Sequence, residues 1–207
     1  MRTSVFIWPL LAVVAVFLAL GSLAKQPKPV QASVKQPAST GRDTDKGVNM
    51  EKAIFAAGCF WGVEAAFREL EGVTATRVGY TGGRVPRPTY QEVCSDTTGH
   101  AEAVEVTFDP SVHSYKDLLE VFWEVHDPTQ VNRQGPDVGS QYRSAVFYLT
   151  EQQKIAAEES KAALNASGAF KRPIATEITK ASEFWEAEDY HQQYLEKRGL
   201  ASCHIRK

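Results

Sequence analysis

Cysteine is scarce in this chain of 207 residues: there are three, Cys59, Cys94 and Cys203, and no Cys-x-x-Cys pair. That argues against a thioredoxin-type redox centre and against a zinc site built on paired thiolates. The histidines lack metal-ligand spacing, so His100 and His126 are read as structural. Charge of one sign is also missing. A net value of −2 offers no broad attraction to nucleic acid or acidic lipid. No internal repeat is present, which leaves specific residues to decide function.

What the chain does have is globular composition, 43% hydrophobic and 23% charged. One long apolar run stands apart, Val5 to Leu20, broken only by Pro9 and followed by Gly21-Ser22-Leu23-Ala24. With Arg2 ahead of it, the run over residues 1–24 reads as a secretory signal cleaved after Ala24, or as an uncleaved membrane anchor from about residue 4 to 24. No cysteine ends the run, which excludes lipidation there. Residues 25–49 hold Pro27, Pro29 and Pro37 and no aromatic residue, and read as a flexible linker with a reach of roughly 25–30 Å. The folded unit therefore spans 50–207, in an exported protein. A second start at Met50 would give a cytoplasmic form.

Within that unit, Lys52–Ala57 reads as a central strand, Trp61–Leu70 as a helix and Val73–Tyr80 as a strand. Residues 102–108 alternate cleanly, with Val104, Val106 and Phe108 on one face. Ser114–His126 reads as a helix capped by Ser114, Ala145–Leu149 as a strand and Glu151–Ala166 as a helix. Ile174–Thr179 and Glu183–Lys197 read as a last strand and a last helix, and two long loops cover about 81–101 and 127–142. This order implies an α+β domain with a mostly antiparallel sheet.

Cys59 falls at a strand-to-helix junction, directly after Gly58. There it would meet free N–H groups and the positive end of the helix dipole, which would lower its pKa toward 7. Beside it, Phe60 and Trp61 can form an apolar wall for a methyl or thioether group. Glu102 shares its strand face with Val104, so its carboxyl points toward the core, where burial raises its pKa and makes it a proton donor. Tyr90, Asp137 and Tyr142 sit in the two loops, able to orient an oxygen. Cys203 lies near the C-terminus, placed to meet another sulfur, and Cys94 is either a bystander or a partner.

The stretch Gly58-Cys59-Phe60-Trp61-Gly62 resembles the signature of the peptide methionine sulfoxide reductases of the A type. The likeness continues through Val78–Gly83, Thr89–Cys94, Thr98–Glu102, Phe108–Pro110, His126–Thr129, Asp137–Ser144 and Ala187–Gln192, nearly all of 50–207. The resemblance implies a ferredoxin-like two-layer α/β sandwich with long wrapping loops. It implies reduction of the S epimer of methionine sulfoxide, free or in oxidised proteins, with no metal or other cofactor. Cys59 would be the nucleophile, Glu102 the acid, Tyr90 and Tyr142 the hydroxyls on the oxygen, and Asp137 an ordering carboxylate. Phe60 and Trp61 would hold the S-methyl group, Cys203 would resolve the sulfenic acid, and a thioredoxin-like protein would supply electrons. Two competing readings are a Cys-His hydrolase pairing Cys59 with His100 or His191, and a redox sensor with a Cys59–Cys203 disulfide.

Overall fold

The computed structural model describes residues 49–200. The apolar N-terminal run, nearly all of the linker and Cys203 lie outside the described residues, and so do the expectations placed on them. The principal elements are strand β1 (Glu51–Ala57), helix α1 (Phe60–Arg68), β2 (Val73–Thr81), α2 (Tyr90–Cys94), β3 (Ala101–Phe108) and α3 (Tyr115–Glu124). They continue with β4 (Arg133–Gln134), β5 (Asp137–Val138), β6 (Ser144–Tyr148), α4 (Glu151–Ala166), β7 (Glu177–Lys180), β8 (Trp185–Glu186) and α5 (Tyr194–Lys197).

Six strands form one sheet in the order β7-β6-β1-β3-β2-β8, and β4 pairs with β5 as a separate hairpin. Neighbours in the large sheet are antiparallel except β6 and β7, which run parallel. The parallel pair follows from its connection: α4 is long enough to carry the chain back to the starting edge. Residues 53–57 of β1 are all buried, as expected of a strand flanked on both sides and covered on both faces.

Helices cover one face. Phe55 of β1 stacks on Phe67 of α1 at 5.1 Å and on Phe122 of α3 at 5.2 Å, so a single ring joins both helices to the sheet. Val104, Val106 and Phe108 extend this core, as their alternation predicts. The opposite face is built from small residues, Ala56, Ala101, Ala103 and Ala145, with Ile54 and Phe147, and is packed by Ala181 and Phe184 of the C-terminal stretch rather than by a helix. On that face Glu105 of β3, 7% exposed, binds Lys52 at 2.9 Å and Arg77 at 2.7 Å. Burial pushes its carboxyl up, yet the bonds to Lys52 and Arg77 outweigh that and leave it below the usual carboxylate range. The architecture is the α+β two-layer sandwich with long wrapping loops.

Several boundaries shift from the sequence reading. The first loop contains α2, whose start is a capping box: Thr89 accepts from the Glu92 N–H, and Glu92 accepts from the Thr89 N–H. The second loop contains the β4–β5 hairpin and a 3-10 turn at Ser140–Tyr142. The last strand is shorter, Glu177–Lys180 instead of Ile174–Thr179. The helix expected over Glu183–Lys197 is mostly absent. β8 pairs with β2 there, the Ala187 N–H donates to Val78 O at 3.0 Å, and Gln193 adopts a φ of 53°. Tertiary bonds to the β2 edge override helical periodicity, leaving only the four residues of α5.

Candidate active site

Cys59 is the N-cap of α1, half-buried, and its side chain does not cap the backbone by a hydrogen bond of its own. The chain reaches it through Gly58, whose φ of 93° lies where glycine is favoured. A Cβ there would sit 2.7 Å from Cβ of Gln134, so the β4–β5 hairpin packs directly on this turn. Gly58→Ala should lower stability by about 2–4 kcal/mol and push away the hairpin carrying Asp137. Denaturant melts and kcat/KM measure both effects, and wild-type values in each would show that the close approach is dispensable.

Glu102, 2% exposed, comes from β3 opposite Tyr80 of β2 and points under the start of α1. Its Oε2 accepts the backbone N–H of Phe60 at 3.1 Å, satisfying the first free donor of the helix. Burial raises its pKa to about 8 against the Phe60 bond, with the charge of Asp137 adding to the rise. Glu102 is thus a neutral acid at pH 7, as its strand parity predicts.

The thiol departs from expectation. Burial, and then the negative charge of Glu102, push Cys59 up to about 12, while the N–H groups of Trp61 and Gly62 pull only partly the other way. The helix N-terminus does favour thiolate, but desolvation outweighs it. Cys59 therefore rests as a thiol, and the pKa near 7 suggested by its position is corrected.

The loops bring the other candidates to the same place. Asp137 on β5 shares a cleft of about 550 Å³ with Cys59, Trp61, Val63 and Pro136. Tyr142 feels the charges of Glu102, Asp137 and Cys59, and burial pushes its hydroxyl well up. Tyr90 opens α2, its hydroxyl meets the Cys94 thiol, and burial holds it protonated too. Phe60 is buried at 1% exposure against Tyr80 and His191, whereas Trp61 is half-buried and lines the cleft. Cys94 is exposed beside Tyr90.

Sequence reasoning gave little weight to the C-terminal stretch that orders these groups. His191, 1% exposed, accepts the Trp61 indole N–H on Nδ1 at 3.0 Å and lies 4.5 Å from the Tyr90 ring. Burial lowers its pKa, so the neutral ring is available to accept that bond. Glu188 accepts from the Tyr80 hydroxyl and from the Tyr90 backbone N–H, both at 2.9 Å. Trp61 engages Nδ1 of His191, Gly83 and Val85 engage His100, and no hydrogen bond joins either ring to Cys59. The hydrolase reading loses its support. His126 bonds Phe122 O and the Ser144 hydroxyl, a structural role. Glu64 was also missed, although it falls on the apolar stripe of Phe60, Val63 and Phe67, where a carboxylate is a signal in itself.

Fold and site together point to a thiol enzyme, with Cys59 at the start of α1 and the buried Glu102 carboxyl bonded to the same turn. The chain belongs to the peptide methionine sulfoxide reductase family, whose description matches residues 51–207. It is 59% identical to the peptide methionine sulfoxide reductase MsrA of Methanosarcina acetivorans, over 84% of this chain and 92% of that one. Among solved structures it is similar to Mxr1 from Saccharomyces cerevisiae in reduced form, with a TM-score of 0.70 at 32% identity, covering 76% of this chain and 92% of that one. Methionine sulfoxide reductase A of Corynebacterium diphtheriae gives a TM-score of 0.65 at 41% identity, over 74% and 77% of the two chains. A structure of Mxr1 in complex with Trx2 also matches, at 22% identity, a likeness of fold alone.

Proposed function

We propose that this enzyme reduces the S epimer of methionine sulfoxide, free or within a polypeptide, and does so at Cys59. The observation that carries the reading is the buried Glu102 carboxyl, neutral at pH 7, beneath the N-cap thiol.

The sulfoxide oxygen becomes a better leaving partner once protonated, and Glu102 is the donor at hand. As Cys59 sulfur attacks the substrate sulfur, Glu102 gives its proton to the oxygen and regains one from the thiol. The S–O bond of this adduct breaks, and the oxygen leaves as water with a second proton from Glu102. Water then attacks the Cys59 sulfur and returns that proton to Glu102. The S–S bond to the substrate breaks, methionine leaves, and Cys59 is left as a sulfenic acid. The proton count balances, so a thiol with a raised pKa suits the step: its proton is released as the carboxyl empties. The Tyr90 and Tyr142 hydroxyls, held protonated, donate hydrogen bonds to the oxygen, and Asp137 orders the cleft. The apolar wall against the S-methyl group falls to Trp61, backed by Phe60.

Cys203 then condenses with the sulfenic acid to a disulfide, and a thioredoxin-like dithiol reduces it by exchange. The complex of the yeast protein with Trx2 supports such a partner. The chemistry calls on no metal or organic cofactor. The apolar N-terminal run supports an exported enzyme, soluble or membrane-attached, which N-terminal sequencing of membrane and soluble fractions tests. Resolved epimers of a methionine sulfoxide substrate, supplied with dithiothreitol, test the main reading. Turnover of S and none of R is expected, and equal turnover of both, or of neither, overturns it.

A further inference from the structure

Glu64, one turn into α1 and 1% exposed, is a buried carboxylate that the chemistry at Cys59 leaves unused. Its Oε1 accepts from the buried Thr76 hydroxyl at 2.9 Å, which fixes the plane of the carboxylate. Its Oε2 accepts the backbone N–H of Gln193 at 2.7 Å, at the residue where a φ of 53° turns the chain into α5. Both oxygens are therefore satisfied, and the burial is not idle.

Gln193 divides the C-terminal stretch in two. Upstream, Gln192 is fixed to β2 by two side-chain bonds, to Val78 N and O at 2.9 Å each, and by a third to Ala187 O at 2.8 Å just after β8. Downstream, residues 193–200 are held to α1 by Glu64, by Tyr194 stacked on Trp61 at 3.7 Å, and by the Arg68–Glu196 ion pair at 2.6 Å. Leu200, Glu64 and Trp61 line one groove of about 360 Å³. Cys203 follows Leu200 by three residues in the sequence.

We propose that Glu64 is a positioning residue for the recycling half of the reaction, pinning the base of the C-terminal tail so that Cys203 reaches the Cys59 sulfenic acid. This rests on the reading that Cys203 is the resolving thiol. In the step it serves, the S–O bond of Cys59–S–OH breaks and the S–S bond to Cys203 forms. The Cys203 thiol proton leaves with the hydroxyl as water, and no further oxidant is needed. The hydrogen bonds of Glu64 go to Thr76 and Gln193, not to Cys59 or Glu102, and the Trp61 indole is held separately by His191. Reduction of the sulfoxide should therefore be spared while resolution suffers.

Single turnover with excess enzyme separates the halves: methionine formation reports reduction, and trapping by a dimedone-type probe reports the life of the sulfenic acid. In Glu64→Met, methionine formation should stay within about twofold of wild type, while the sulfenic acid should persist about tenfold longer or more. Glu64→Gln should restore the short lifetime, because its oxygen accepts from Gln193 while its amide donates to Thr76. Glu196→Ala, an exposed change that does not threaten folding, should lengthen the lifetime about threefold. In a Cys203→Ser background, Glu64→Met should add nothing. Wild-type lifetimes in both Glu64→Met and Glu196→Ala would overturn the proposal, as would equal slowing of both halves in Glu64→Met. If Glu64→Met does not fold, Glu196→Ala decides alone. A Cys203→Ser protein with a wild-type lifetime would instead overturn the resolving role, whatever the Glu64 variants do.

Discussion

Serine at position 59 should reduce methionine sulfoxide at least about 10³-fold more slowly than cysteine, and form no trapped intermediate. A hydroxyl is the weaker nucleophile, and an oxygen there cannot take up the oxygen of water, since the product would be a peroxide rather than a sulfenic acid. Loss of activity should come with a gain in stability. Cys59 caps α1 without a side-chain bond, whereas serine is a preferred N-cap and should add about 0.5–1 kcal/mol. Single turnover and a denaturant melt on one preparation read both effects. A tenth of wild-type activity in Cys59→Ser would transfer the chemistry to another thiol.

Glu102→Gln should slow the reduction by roughly 10²–10⁴-fold, the range expected for a positioned acid. In the wild type, kcat/KM should fall as pH rises through about 8, where Glu102 loses its proton. The glutamine variant should lack that limb. Stability should move oppositely. The folded pKa of Glu102 lies above its ordinary 4.5, so the folded chain holds this proton more tightly than the unfolded one. The resulting stabilisation is full below about 4.5 and is lost as pH rises toward and through about 8. Glutamine never ionises and still accepts from the Phe60 N–H, so the variant should be more stable than wild type above pH 8, by about 2–4 kcal/mol. Melts at pH 6 and pH 9 measure the difference. A pH profile unchanged by the substitution would remove Glu102 from the acid role.

The parts legible in the sequence were those that local rules determine. Alternation along β3 put Glu102 inside, Ser114 announced the start of α3, and two-sided burial placed β1 at the centre. The capping box at Thr89 and Glu92 was equally legible, though too short a helix followed to be noticed. What escaped was tertiary. The pKa of Cys59 depends on how deeply loops and a neighbouring carboxyl bury it, not on its place at a helix end. The stretch from Glu183 to Lys197 has helical spacing, yet Gln192 and Ala187 find better partners on the edge of β2. For the same reason His191 and Glu188, 130 and 129 residues beyond Trp61 and Cys59, could not be joined to Trp61, Tyr80 and Tyr90 by spacing alone.

Glu102 and Glu105 lie three residues apart on one strand, and their carboxyls are driven in opposite directions. One keeps its proton under α1, and the other stays ionised between Lys52 and Arg77 on the far side. The ladder of backbone bonds holding β3 between β1 and β2 is therefore what sorts the two acids. A one-residue slip of β3 would turn Glu102 toward Phe147 and swing a charged glutamate beneath the helices, with every amino acid of the site still present. Single-residue insertions or deletions in β3 should thus be more damaging to turnover than most substitutions there, because alignment of the strand is itself a condition for having a proton to give.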